Sequence, residues 1–125
     1  MSLEGTEKQI AWANDIKKDV LEVFESAKPL LIKKAEDEED LAELKYYEKL
    51  LNEEKRAKFF IDHFGYMFTK TDKAYRDTYL TNLSIVMCKV LRSIAQHDKS
   101  NNFVGIVAQD LIGAYEEYKY SDLRQ

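Results

Sequence analysis

Chain breakers are scarce in this sequence: one proline and four glycines in 125 residues, about a third of the share an average protein carries. So few breakers leave no room for the many turns of a β-sandwich or barrel. The glycines, at positions 5, 65, 105 and 113, never cluster, which excludes a phosphate-cradling loop. One cysteine, Cys88, excludes an internal disulfide and any Cys-x-x-Cys zinc site. It lies in the apolar run Leu83-Ser84-Ile85-Val86-Met87-Cys88 with no histidine nearby in sequence, so a small buried thiol in a reducing, cytoplasmic setting is expected and a nucleophile is not. No window of about eighteen apolar residues exists for a membrane span, and no charged-then-apolar leader marks secretion. A formal charge of −4 argues against a protein that coats nucleic acid or an anionic membrane, since such binding needs clustered cations.

What the chain does contain is helical periodicity. With 45% hydrophobic and 34% charged residues interspersed, it reads as an all-α protein: an antiparallel bundle of four to five helices forming a single domain over residues 4–125. Met1-Ser2-Leu3 reads as an added leader outside the fold. Ile10, Ala13, Ile16, Val20, Phe24, Ala27 and Leu31 form one apolar stripe from Thr6 to about Lys34, flanked by Trp12 and Val23. Pro29 predicts a kink or break near Ser26–Lys28. A second stripe, Leu41, Leu44, Tyr47 and Leu51, reaches the polar turn 52–56 and resumes with Ala57, Phe60, Ile61 and Phe64. Asn52 either caps a fresh helix there or faces water inside one long helix, and Gly65 is a candidate C-cap. Asp72 is the expected N-cap of a helix whose stripe is Tyr75, Tyr79, Leu83, Val86, Val90 and Ile94, with Leu80, Met87 and Leu91 beside it. So wide an apolar face predicts a central helix. After the polar linker 96–102, Asn101 or Asn102 caps a last helix carrying Val104, Val107, Leu111, Ala114, Tyr115 and Tyr118.

The sharpest local signal is Gly5-Thr6-Glu7-Lys8-Gln9-Ile10-Ala11-Trp12-Ala13, which holds the only tryptophan. Thr6 and Gln9 have the spacing of a capping box, and Glu7 suits the positive end of the helix dipole. The segment resembles the opening of a family of small uncharacterised proteins of bacteria and their mobile elements, which begin G-S/T-x-K-Q-I-x-W-A. Ala57-Lys58-Phe59-Phe60-Ile61-Asp62 is similar to that family's later A-K-F/W-W-I-D segment, with Phe59 and Phe60 in place of its aromatics. The resemblance implies no particular chemistry. Core packing is the first expectation for Trp12 and Phe60. The functional alternative is a shared recognition surface bordered by Lys8, Gln9, Trp12, Lys58, Asp62 and His63.

Other constellations are weaker. Glu36-Asp37-Glu38-Glu39-Asp40 carries charge for a cation, but without the interleaved glycine of a calcium loop it is expected to be the acidic first turn of a helix. His97-Asp98, with His63 thirty-four residues upstream and Asp110 and Asp122 downstream, has the arrangement of HD-type metal-dependent phosphohydrolases, which are all-helical. The lysine and apolar residues usual around such sites are missing. No Glu-x-x-His pair exists for a di-iron bundle. Lys55-Arg56-x-Lys58 and Lys70, Lys73, Arg76 are the candidate basic patches, more ordinarily solvated helix faces. Eight tyrosines favour an interface, with a second copy of the chain as one partner, over buried rings with hydroxyls at the rim.

The sequence therefore predicts no catalytic, cofactor or metal-binding set. The reading is a non-enzymatic helical interaction module whose partner is a protein or a second copy, with no membrane. A nucleic-acid-associated accessory protein of a mobile element is the first alternative, and an HD-type phosphohydrolase the second.

Overall fold

The first helix, α1 (Glu7–Lys34), begins where the capping box places it: Thr6 Oγ1 accepts from the Gln9 amide at 3.2 Å, and Gln9 Oε1 accepts from the Thr6 amide at 3.0 Å. The computed structural model describes residues 3–65, 76–97 and 106–119, with side chains over 3–65, 78–94 and 111–118. The expected stripe of α1 is buried from Ala13 to Leu31, with Ile10 half-buried at its start. The break expected near Pro29 does not occur; α1 runs unbroken to Lys34. Pro29 and Glu25, whose carbonyl loses its amide donor to the proline, both face solvent, where water can replace the missing bond.

Helix α2 (Glu38–Glu53) is started by the acidic run. The Asp37 side chain accepts from the Asp40 amide at 3.0 Å, and Asp40 Oδ2 accepts from the Glu36 amide at 2.9 Å. That second bond turns Asp40 inward. Leu41, expected in the core stripe, is consequently 38% exposed, while Asp40 and Glu43 join Leu44, Tyr47 and Leu51 on the buried face. Stripes starting at 40 and at 41 are equally periodic, so periodicity alone could not choose. Lys28 pairs with Glu48, and Lys17 Nζ donates to the Asn52 carbonyl at 2.9 Å, so α2 runs back along α1.

The polar turn is a true interruption: α2 ends at Glu53 and α3 (Ala57–Phe64) begins after Arg56. Asn52 caps nothing; it sits in the last turn of α2, its Nδ2 donating to the Glu48 carbonyl at 2.8 Å. Arg56, the N-cap of α3, makes no side-chain capping bond. The N-terminal segment supplies one instead. The Ala57 amide donates to the Glu4 carbonyl at 3.0 Å and the Glu4 amide donates to the Lys55 carbonyl at 2.6 Å, a short parallel, strand-like pairing of Glu4 with Arg56. Leu3 is then drawn into the core at 4% exposure, which corrects the reading of Leu3 as outside the fold. Gly65 ends α3 as expected, in right-handed rather than left-handed conformation.

Among the described side chains of α4 (Arg76–His97) Leu80, Leu83, Ser84, Met87 and Leu91 are buried, and Tyr79, Val86, Val90 and Ile94 are among those half-buried. The residues expected beside the stripe are its centre. Ser84 hid that register, being polar; its hydroxyl donates to the Thr81 carbonyl at 2.6 Å and so is buried without loss. Helix α5 (Ile106–Lys119) buries Leu111, Ala114 and Tyr115. Asp72, Tyr75, Asn101, Asn102 and Val104 lie outside the described residues, and the Val107 side chain outside the described side chains. The central helix is α1, which packs on all four others; α4 meets α5, α1 and α3. No described helix is long and apolar enough to cross a membrane.

Two consequences are measurable. Leu3→Ala removes a core side chain at the free end of the N-terminal segment, and urea unfolding is expected to show a loss of about 2 kcal/mol; no loss would mean that the segment is not docked in solution. Tyr47 is wholly buried and its hydroxyl lacks a well-formed hydrogen bond. Burial first, and then the Glu43 carboxyl one turn earlier, hold the phenol well above its ordinary value of 10.0. The unfolded chain ionises this phenol at about pH 10 while the fold keeps it protonated, so its contribution is present below that pH and lost as pH rises past it. Denaturant midpoints should fall above pH about 10, and fall less in Tyr47→Phe.

Candidate functional site

Two close approaches bring the N-terminal motif onto α3. Gly5, at φ +154°, a region that disfavours side chains, is so near Ala57 that a Cβ placed on it would stand 3.2 Å from the Ala57 Cβ. Two turns on, a Cβ on Gly65 would stand 3.1 Å from Trp12 Cζ2 and 3.3 Å from Cη2, with Ile61 Cγ2 at 3.4 Å. Residue 5 meets 57 and residue 12 meets 65, so α1 and α3 run side by side in the same direction. The two family-like segments are therefore neighbours in space.

Trp12 is not the core residue expected of it. Phe60 is fully buried, but Trp12 keeps 39% of its surface exposed while its six-membered ring rests against Gly65. Lys8 stands one turn before it on α1, and both are exposed. On α3 the positions i, i+3, i+4 and i+7 share one face; here they are Lys58, Ile61, Asp62 and Gly65. Lys58 and Asp62 are exposed and Ile61 half-buried, and no described ion pair involves Lys8, Lys58 or Asp62. The result is an indole edge beside one isoleucine, framed by two ammonium groups and one carboxylate. Such a surface can bury apolar area and make charged hydrogen bonds at its rim.

The other two candidates separate from this edge. Gln9 is exposed, but its side-chain oxygen and its amide are both held by the capping box. His63 lies on a different stripe of α3, its ring 4.7 Å from that of Phe59. Arg56 covers the same ring from 5.9 Å and is fixed to the Glu54 carboxylate by Nε at 3.1 Å and Nη2 at 3.0 Å. That guanidinium holds the Glu54 carboxyl below its usual range, and the carboxylate in turn raises Arg56. One charge of the Lys55-Arg56-x-Lys58 cluster is thereby neutralised. Ile61 and Gly65 were missed as members of the surface; their spacing from Lys58 was the available signal.

Among the described residues no group of histidine, cysteine, aspartate or glutamate is placed to hold a metal ion. The side chains of His97, Asp98, Asp110 and Asp122 lie outside the described side chains, as do those of Lys70, Lys73 and Arg76. Cys88 is half-buried, its thiol pushed up chiefly by burial. Tyr47 and Tyr115 are buried and Tyr46, Tyr79 and Tyr118 half-buried, the pattern of rings packed inward.

Gly65→Ala should displace the Trp12 ring, shifting the emission of the only tryptophan to the red and costing about 1 kcal/mol in denaturant unfolding. In a Trp12→Ala background the same substitution should cost nothing, and an equal cost in both backgrounds would show that the ring contact is not its cause. No protein-family model, curated protein or solved structure matches the chain.

Proposed function

We propose that this chain is a small non-enzymatic interaction module of the cytoplasm, which holds a protein partner along the edge formed by Trp12, Ile61, Lys8, Lys58 and Asp62. The observation that carries this reading is the exposure of the one tryptophan, at 39%, over a glycine. A large aromatic half in water gains free energy when a partner covers it, and tryptophan is among the residues that most often dominate binding energy at interfaces. The N-terminal motif fits the same reading. Thr6 and Gln9 are accounted for by helix capping, whereas Lys8 and Trp12 serve no capping role, and kinship with the G-S/T-x-K-Q-I-x-W-A proteins is part of this proposal. The free thiol agrees with a reducing compartment. A nucleic-acid role is disfavoured by the net charge of −4 and by the pairing of Arg56 with Glu54.

A photo-crosslinking amino acid at position 12 tests the proposal in cells. It should yield discrete protein adducts on irradiation, while the same residue at position 85, 36% exposed on α4, yields none. No adducts at position 12, or the same adducts at both, would overturn it.

A further inference from the structure

We infer that the partner is a second copy of this chain, joined across a twofold axis beside α3; this inference rests on the interaction-module reading and names its partner. The charge pattern of the exposed α3 face carries it. Lys58 and Asp62 are one turn apart with Ile61 between them, both exposed and neither in a described ion pair. A twofold interface is self-complementary: whatever residue i meets, its own copy must meet in return. Two α3 helices laid antiparallel, with the axis near position 60, place each Lys58 opposite Asp62 of the second copy. The Ile61 side chains lie between the two ion pairs and the Trp12 rings border them. A parallel arrangement, or an antiparallel one with its axis near position 58, would set lysine against lysine, and one near 62 would set carboxylate against carboxylate. The same charges thus favour one register and oppose others.

Size limits the strength. Helix α3 has eight residues, about 12 Å of axis, so each copy contributes less than the roughly 800 Å² of a standard interface. Association is expected with Kd on the order of tens of micromolar. Lys8 lies at the rim, where it affects the rate of encounter more than the affinity.

Sedimentation velocity over about a hundredfold range of concentration tests this, with Trp12 emission followed in parallel. The wild type should pass from monomer to dimer, and the emission should move to the blue as the ring is covered. Asp62→Lys and Lys58→Asp should each weaken the dimer about tenfold by setting like charges face to face. The double variant Lys58→Asp/Asp62→Lys restores opposite charges across the axis and should return Kd to within about threefold of wild type. All substituted positions are exposed, and far-ultraviolet circular dichroism checks that each variant folds. A wild type that stays monomeric overturns the inference, as does a dimer indifferent to the single reversals or unrestored by the double. A monomer whose position-12 crosslinker still captures a different protein overturns the second copy alone; a monomer with no adduct sinks the module reading as well.

Discussion

The Lys17 ammonium joins three helices at one point. It donates to the Asn52 carbonyl at 2.9 Å and the Glu54 carbonyl at 3.5 Å, and it stands 5.7 Å from the centre of the Phe60 ring. Asn52 belongs to the last turn of α2, where carbonyls have no partner within the helix and the negative end of the dipole lies. One cation on α1 therefore supplies what α2 lacks at its end and stands over the fully buried Phe60 ring of α3. Its long apolar stem lets the charge reach the carbonyls while the methylenes pack. This contact ties the end of α2 to α1 three residues before α3 begins, and α3 lies along the first turns of α1.

The N-terminal segment completes the same junction from the other side. An uncapped helix start at Ala57 would leave buried donors unmatched, and Arg56 offers no side-chain acceptor because a guanidinium carries only donors. The Glu4 carbonyl fills that role, and Leu3 follows it into the core. Gly5 permits the turn from this extended pairing into α1, with a conformation that side chains rarely adopt and no space for a Cβ against Ala57. The motif that opens the chain is thus a junction between three segments as much as a helix start.

Much of this was legible from residue patterns, and the misreadings have physical causes. The stripes of α1 and α3 and the capping box depend on local spacing, which a sequence displays directly. The register of α2 depended on Asp40 turning inward to bond the Glu36 amide, and that of α4 on Ser84 being satisfied by its own helix. Both are buried polar residues that hydropathy places outside. Pro29 was read as a kink or a break because a proline removes one bond; the helix is not broken, since a single exposed lapse in twenty-eight residues is outweighed by the burial on its other face. In the candidate site, Lys58 and Asp62 were identified from the family-like segment Ala57–Asp62. Ile61 and Gly65 were not: they share the helical spacing of Lys58, but their types suggest packing and capping until Trp12 is seen to rest against Gly65.

Why Trp12 stays exposed follows from where α3 ends. Its ring extends beyond the α1 stripe toward the last turn of α3, and there the chain presents Gly65, whose missing side chain leaves the indole one surface to rest on and none to enclose it. A larger residue at 65 would push the ring outward; a deeper pocket would bury it. The glycine does neither, so the ring is held in place from below while its outer surface remains in water. Holding an aromatic in one orientation before a partner arrives lowers the entropy lost on binding. A residue needed only for the core would gain more by being covered, and partial support with an open outer face is what the proposed contact role would use.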